Sequence, residues 1–473
     1  MTPASTTDTE DAPAIDGPLI TAAKLKKPAL VAELYLEDQW LHQGTRSLQL
    51  WQGGFWAWQG DHYTSLPEGR AKNAIYRWLI LHTGGNATDR DRDRVYEALC
   101  ALCDTGRVQD PPDAPFWVDT GESDPNIVSL TNGLLDVEAA ATATTPEGKL
   151  GALQPHTPRW FTPNALPIIY DPEAQCPRWL AFLDEALDAD TERIALLQEW
   201  FGLCITPDTR YQKILLLHGP PRSGKGTTTT VLRALVGEHN HVGSEFSSLI
   251  QPFGLQNFLH KTVAVFGDAH MGDLPARRVL ERLKAISGGD VVPINRKYKP
   301  EISVRLTCRI IIATNEEPSF DDREGALASR LLFLPFMNSC EGREDPTLEA
   351  QLLTELSGIL NWAIAGLQRL RQQGHFTTSA VGSEALNAFR VRSNSALVFA
   401  RKHLAYVPDA LTSKEAIWRK YQAWCSDEGL TPLSRTQVGT AITQIFGNRV
   451  RTVRPYGKPR HYANLAFQNP STS

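Results

Sequence analysis

The stretch Lys213-Ile-Leu-Leu-Leu-His-Gly-Pro-Pro-Arg-Ser-Gly-Lys-Gly-Thr227 decides the fold. Ile214 to Leu217 is a short apolar run, the pattern of a buried strand. Gly219, Pro220, Pro221, Arg222, Ser223, Gly224 and Lys225 follow as a glycine-rich loop. A helical pattern from Thr227 to Val236 then stops at Gly237. Strand, loop and helix in that order are the setting a P-loop requires. Backbone N–H groups of such a loop wrap a phosphate, and the helix N-terminus adds a positive dipole. Lys225 supplies a mobile cation for the β- and γ-phosphates. Gly226 stands where Ser or Thr usually holds Mg²⁺, with Thr227 one position later.

Downstream, Lys261 to Gly267 is a second apolar strand, with Asp268 at its carboxyl end. Leu274 to Ile286 has its apolar residues on one helical face and meets Gly288-Gly289. Val291 to Ile294 and Glu301 to Leu306 read as a hairpin whose tip, Asn295 to Lys299, carries Arg296, Lys297, Tyr298 and Lys299. Arg309 to Thr314 is a third buried strand, ending at Asn315, and Leu331 to Phe336 a fourth, preceded by Arg330. Strands separated by helices predict a largely parallel sheet, with ligands beyond its carboxyl strand ends. Phosphoryl transfer to water needs a cradle, a metal, a positioned water and a nearby cation. Asp268 can position Mg²⁺ or the water, Asn315 can bond the water and sense the γ-phosphate, and Arg330 (or Arg323) can act as the finger. The basic tip with Tyr298 can grip a phosphodiester while the ring stacks a base.

The chain has 473 residues, 42% of them hydrophobic, and a net charge of −5. That predicts several globular domains and no global basic field, so nucleic acid must be held by local patches. Seven scattered cysteines fit buried thiols in a reducing compartment. Cys100 and Cys103 form a C-x-x-C inside a helical pattern, without a second ligand pair. No secretory start and no membrane span is evident. Residues 1–28 read as a disordered tail. Leu48 to Tyr63 reads as a hairpin rich in Trp51, Trp56, Trp58 and Tyr63; these rings suit a small core better than base stacking. Asn126 to Val137 reads as a second hairpin turning at Asn132-Gly133, and Ala139 to Gly151 as a surface loop.

Near the C-terminus, Ser413 to Cys425 is helical, Gly429 to Pro432 breaks it, and Ser434 caps a helix running to Phe446. Arg449 to Phe467 reads as a hairpin turning at Pro455 to Pro459. Helix, helix and hairpin predict a winged helix. After Glu428 no acid occurs, while Arg435, Arg449, Arg451, Arg454, Lys458 and Arg460 do, which predicts duplex binding.

The motifs GPPRSGKGT (219–227), VAVFGDA (263–269), LKAISGGDVVPINRKYK (283–299), IIIATNEEP (310–318) and ASRLLFLPF (328–336) resemble the superfamily 3 helicases, specifically the poxvirus-type primase–helicases of phages, plasmids and integrated islands. NIVSLTNGLLDV and YDPEAQCPRWLAFLDEAL resemble the part preceding the motor in that family, so the resemblance runs from Asn126 onward. It implies a hexameric ring that binds ATP and Mg²⁺ and moves 3′ to 5′ on single-stranded DNA at a fork. It also implies phosphate binding by Lys225, the second nucleotide motif at Asp268, a sensor at Asn315, DNA contact by Arg296, Lys297 and Lys299, and Arg330 acting on the neighbour's nucleotide. Many relatives carry two acids at the second strand end, where here Ala269 follows Asp268, so the general base stays open. No primase domain is read, and a separate primase is the implied partner, in a bacterial host's cytoplasm.

The expected fold is α/β: an AAA+-like P-loop NTPase core with a mixed α/β N-terminal domain and a C-terminal winged helix. The expected domains are a tail (1–28), an α+β domain (29–170), a helical collar (171–212), the motor (213–340), a helical connector (341–395) and the winged helix (396–467). The expected activity is ATP-driven DNA unwinding in replication of a mobile element. An ATP-switched origin-binding protein and a nucleotide kinase are the alternatives.

Overall fold

The computed structural model describes residues 20–104, 113–267, 274–315, 327–457 and 459–468. Asp268, Arg323, Lys458 and residues 1–19 of the expected tail therefore lie outside the described residues. The chain divides into two compact units, 1–170 and 171–473.

The first unit is built on a three-stranded antiparallel meander, Leu48–Trp51, Gly54–Trp58 and Tyr63–Leu66. Helices Pro28–Gln39, Glu68–His82 and Asp89–Cys103 bury Val31, Leu36, Ile75, Leu79, Val95 and Leu99 in one core with Phe55. Trp51, Trp56 and Tyr63 are buried with Phe116 and Phe161, so they build a second core rather than a base-stacking platform. Two expectations are corrected here. Residues 20–28 do not belong to a tail, because Ile20 is buried and its N–H bonds His82 O, while Thr21 caps the turn Ala22–Leu25. Residues 137–151 are not a plain loop: Asp136 and Thr145 cap helices Val137–Thr142 and Pro146–Gly151. Strong caps start helices there that lack the apolar periodicity by which a sequence shows them.

The second unit opens with α1 (Pro177–Ala186) and α2 (Thr191–Cys204). A five-stranded sheet follows, built from β1 (Ile214–His218), β2 (His241–Ser244), β3 (Val263–Gly267), β6 (Arg309–Thr314) and β7 (Leu331–Pro335) in the order β2-β3-β6-β1-β7. Every pairing is parallel. Strands β1, β6 and β7 are almost continuously buried, as sheets covered on both faces require. Edge strand β2 was not expected, since His241-Val-Gly-Ser244 shows neither a run nor an alternation. Between β1 and β2 lies α3 (Lys225–Val236); between β3 and β6 come α4 (Ala276–Gly288) and the antiparallel hairpin β4 (Val291–Arg296) and β5 (Lys299–Arg305).

Helix α5 (Leu356–Gln373) packs along α2 around Glu199, which is fully buried. The Glu199 carboxylate accepts bonds from Arg369 Nε (2.8 Å), Gln373 Nε2 (2.9 Å) and the Thr377 N–H (2.7 Å) and hydroxyl (2.6 Å). Paired and saturated in this way, a buried carboxylate is tolerated.

After α6 (Ala380–Ser393) and α7 (Ser395–His403) come β8 (Leu404–Ser413), α8 (Lys414–Asp427), α9 (Arg435–Phe446), β9 (Arg451–Val453) and β10 (His461–Phe467). Ser413 caps α8, and Ser434 with Gln437 forms a capping box at α9. The strands form an antiparallel sheet in the order β8-β10-β9. Strand β8 is therefore an addition to the expected helix, helix and hairpin. Its Pro408-Asp409 interruption breaks the alternation a strand would show, and the register shifts between Tyr406 and Leu411.

Candidate nucleotide-phosphate site

The loop 219–224 leaves the carboxyl end of β1 and delivers the chain to α3. Two glycines make its path possible. A Cβ on Gly219 would lie 2.0 Å from Phe336 O, and Gly224 sits at φ +97° against Phe182 of α1. Neither position admits a side chain without moving the backbone. Gly226, in the first turn of α3, has open space instead.

Lys225 is 7% exposed, and its ammonium donates to Gly219 O (2.7 Å), Pro220 O (2.7 Å) and Ser223 Oγ (3.1 Å). The cation is thus held inside the curve of its own loop. His218, at the end of β1, is kept below the usual imidazole range by burial first, then by Lys225 and Arg392. The segment after β7 lies over the loop: Cys340 N donates to Arg222 O (2.9 Å), and Ser339 Oγ to Pro221 O (2.9 Å).

A cleft of about 640 Å³ opens on this loop. Pro221, Arg222, Ser223, Gly224, Lys225, Gly226 and Thr227 line it, and so does Asn315 from the end of β6. The structure therefore brings the loop and the amide together beyond the carboxyl ends of adjacent parallel strands. Gly267, the last residue before Asp268, also lines the cleft.

Arg330 stands elsewhere. It precedes β7, at the amino end of the sheet, and its Nη1 donates to Lys284 O (2.7 Å) and Ser287 Oγ (3.0 Å) at the end of α4. The side chain thus ties the start of β7 to one carbonyl and one hydroxyl near the C-terminal end of α4.

The hairpin places Lys297 and Tyr298 at a two-residue tip, with Arg296 paired to Lys299. Tyr298 is 92% exposed, and Lys297 Nζ lies 5.2 Å from its ring centroid. Arg296, half-buried, donates from Nε to Pro300 O (2.9 Å). In the C-terminal sheet region Arg449, Arg451, Arg454 and Arg460 are all exposed. Arg449 lies 5.6 Å from the Tyr406 ring, and Arg435 lies 5.2 Å from the Trp418 ring and donates to Glu415 Oε2 at 2.8 Å.

Sequence reasoning missed Arg178 and Arg343, two more cations on the cleft. Arg178 Nε donates to Gln351 Oε1 (3.0 Å), and the Arg178 and Trp179 N–H groups are capped by the Glu355 carboxylate (3.0 and 2.9 Å). Arg343 follows β7 at its carboxyl end, where the strand-end rule alone points. Nothing local to Arg178 in the sequence marks it.

A family model described as D5 N terminal like matches residues 40–188, and one described as a family of unknown function, DUF5906, matches residues 217–330. The A-form apo structure of the NrS-1 C-terminal region is 14% identical, with a TM-score of 0.50, covering 93% of this chain and 100% of that one. A second NrS-1 C-terminal structure, residues 305–718 by its description, is 14% identical with a TM-score of 0.46, covering 93% and 100%. At such identity the first likeness speaks to the fold. No helix among the described residues is long and apolar enough to cross a membrane.

Proposed function

We propose that this chain is the ATP-hydrolysing motor of a phage-type primase–helicase, a superfamily 3 DNA helicase acting in replication. One observation carries the reading: the Lys225 loop and Asn315 face a single cleft at the carboxyl ends of adjacent parallel strands. The D5 N-terminal-like match supports the replication setting. The all-parallel sheet supports an AAA+-like P-loop core, and α8, α9 and the β9–β10 hairpin support a winged helix.

The loop fits a triphosphate. Lys225 is buried at the centre of the curve, and the α3 N-terminus opens onto the same cleft. A phosphate oxygen has to take over one of the three ammonium bonds now made to the loop. Mg²⁺, when bound, would neutralise charge on the phosphate oxygens, with Thr227 and Asp268 as its protein-side holders. Asn315 orients the attacking water, and the identity of the general base stays open. Arg296, Lys297, Tyr298 and Lys299 grip one strand inside a homo-hexamer, and Arg449, Arg451, Arg454, Lys458 and Arg460 hold duplex. Translocation runs 3′ to 5′, with a separate primase as partner. Arg330, at the sheet end remote from its own cleft, serves the neighbouring subunit's nucleotide through the guanidinium edge away from Nη1.

The test is ATP hydrolysis with and without single-stranded DNA, together with displacement on forked duplexes. Stimulation with displacement is expected. Hydrolysis and duplex binding without displacement would mean an origin switch, and phosphoryl transfer to a nucleotide acceptor would mean a kinase.

A further inference from the structure

The backbone at the hairpin tip is held from outside the hairpin. The Lys297 N–H donates to Gln256 Oε1 at 2.8 Å. Gln256 belongs to the 3-10 turn Gly254–Phe258, whose Leu255 and Phe258 are buried in the same core as Val292 and Ile294 of β4. Phe258 and Phe246 each stack on Phe266 of β3, with centroids 6.0 and 5.2 Å apart. One residue beyond Phe266, Gly267 lines the cleft. A single packed path thus runs from the strand that leads to Asp268, through the two rings and the 3-10 turn, to the tip backbone.

We propose that Gln256 is a positioning residue for single-stranded DNA. It fixes the Lys297 backbone, and through it the basic tip, to the aromatic stack on β3. This rests on the helicase reading of the tip. The tip needs such a tie. Its register shifts between Ile294 and Arg296, Tyr298 adopts φ +61°, and the side chains of 297–299 are exposed, so no packing of their own holds them. A tip held in one place loses less conformational freedom when it grips a phosphate chain. Gln256 touches neither nucleotide nor DNA in this role.

The test uses the full chain with Gln256→Met, which keeps volume without the acceptor, and Gln256→Glu, which keeps the acceptor. The first arm needs no DNA: amide hydrogen exchange of the peptide spanning 291–305. Gln256→Met speeds exchange at the tip while Gln256→Glu matches the native chain; unchanged exchange in Gln256→Met overturns the proposal. The second arm is the oligonucleotide concentration giving half-maximal ATPase stimulation, read at moderate salt to screen the added Glu charge. Loss of one net hydrogen bond predicts a rise of roughly three- to tenfold in Gln256→Met, restored in Gln256→Glu, with basal turnover unchanged and melting temperature lowered by no more than about 2 °C. A fall in basal turnover and melting temperature together would show a merely structural residue and overturn it. If the native chain shows no DNA stimulation, the helicase reading fails, while the exchange arm still reports whether Gln256 holds the tip.

Discussion

Replacing Lys225 with Ala separates binding from catalysis by an amount the structure sets. The ammonium has three hydrogen bonds within its loop and is 7% exposed. A charged hydrogen bond to a phosphate oxygen contributes about 1.5–3 kcal/mol, or roughly 10–150-fold in affinity. Binding must first give up one loop bond of similar kind, so the net loss in ATP affinity falls toward the lower end, roughly tenfold. Hydrolysis loses more, because the charge building on the transferred group in the transition state loses a preorganised cation. Removing one preorganised donor there typically costs roughly 10²–10³ in rate. The loop carbonyls of Gly219 and Pro220 also lose their donor, which costs about 1–2 kcal/mol and a few degrees of melting temperature. Titration of a fluorescent ATP analogue, phosphate release and thermal melting measure the three effects on one preparation. Hydrolysis within a few-fold of the native chain would refute the assignment of the loop.

Lys297→Ala with Arg296→Ala keeps basal ATPase, abolishes its stimulation by single-stranded DNA, and flattens the salt dependence of strand binding; an unchanged salt slope marks the tip as a solvated turn. Arg449→Ala with Arg451→Ala weakens duplex binding and spares basal ATPase, as gel shifts at fixed salt will show. Removing residues 413–473 outright is a poorer test, because it strips β10 from β8 and uncovers Phe399 and Leu404. Burial, with Lys261 and Arg296 next, lowers the His260 imidazole to about 4. Between pH 6.5 and 4 the unfolded chain therefore binds more protons than the folded one, so stability falls as pH falls, by about 2 kcal/mol at pH 5 from this group. Urea midpoints at pH 7 and 5 should move less in His260→Asn, since Asn tolerates the φ of +60° there. Arg330→Ala lowers both the melting temperature, through loss of its bonds to Lys284 O and Ser287 Oγ, and hydrolysis; mixed with Lys225→Ala it recovers hydrolysis in reassembled rings, and no recovery would place its action within one subunit.

The sequence showed most clearly what local pattern alone determines. Strands β1, β3, β6 and β7 are apolar runs because both sheet faces are covered, and their order with the helices forces a parallel sheet. The cap Ser434 marks α9 because a cap is a contact within four residues. Strand β8 escaped because Pro408-Asp409 interrupts it and its partner lies some fifty residues away. Position at a strand end is visible in sequence, whereas the direction in which a side chain leaves is not. That is why Asn315 is found on the cleft while Arg330, just as plainly next to a strand, is turned onto α4. The Lys225 ammonium bonds its own loop, a local contact, whereas the Glu355 carboxylate that caps α1 and Gln256 under the tip act through partners fixed by tertiary packing. For the last two that partner is 177 and 41 residues away. A motif can therefore specify the cradle, but the residues that aim the basic tip and the cleft cations are specified by the core. Any substitution that repacks Phe246, Phe258 and Phe266 should reach the tip without touching it.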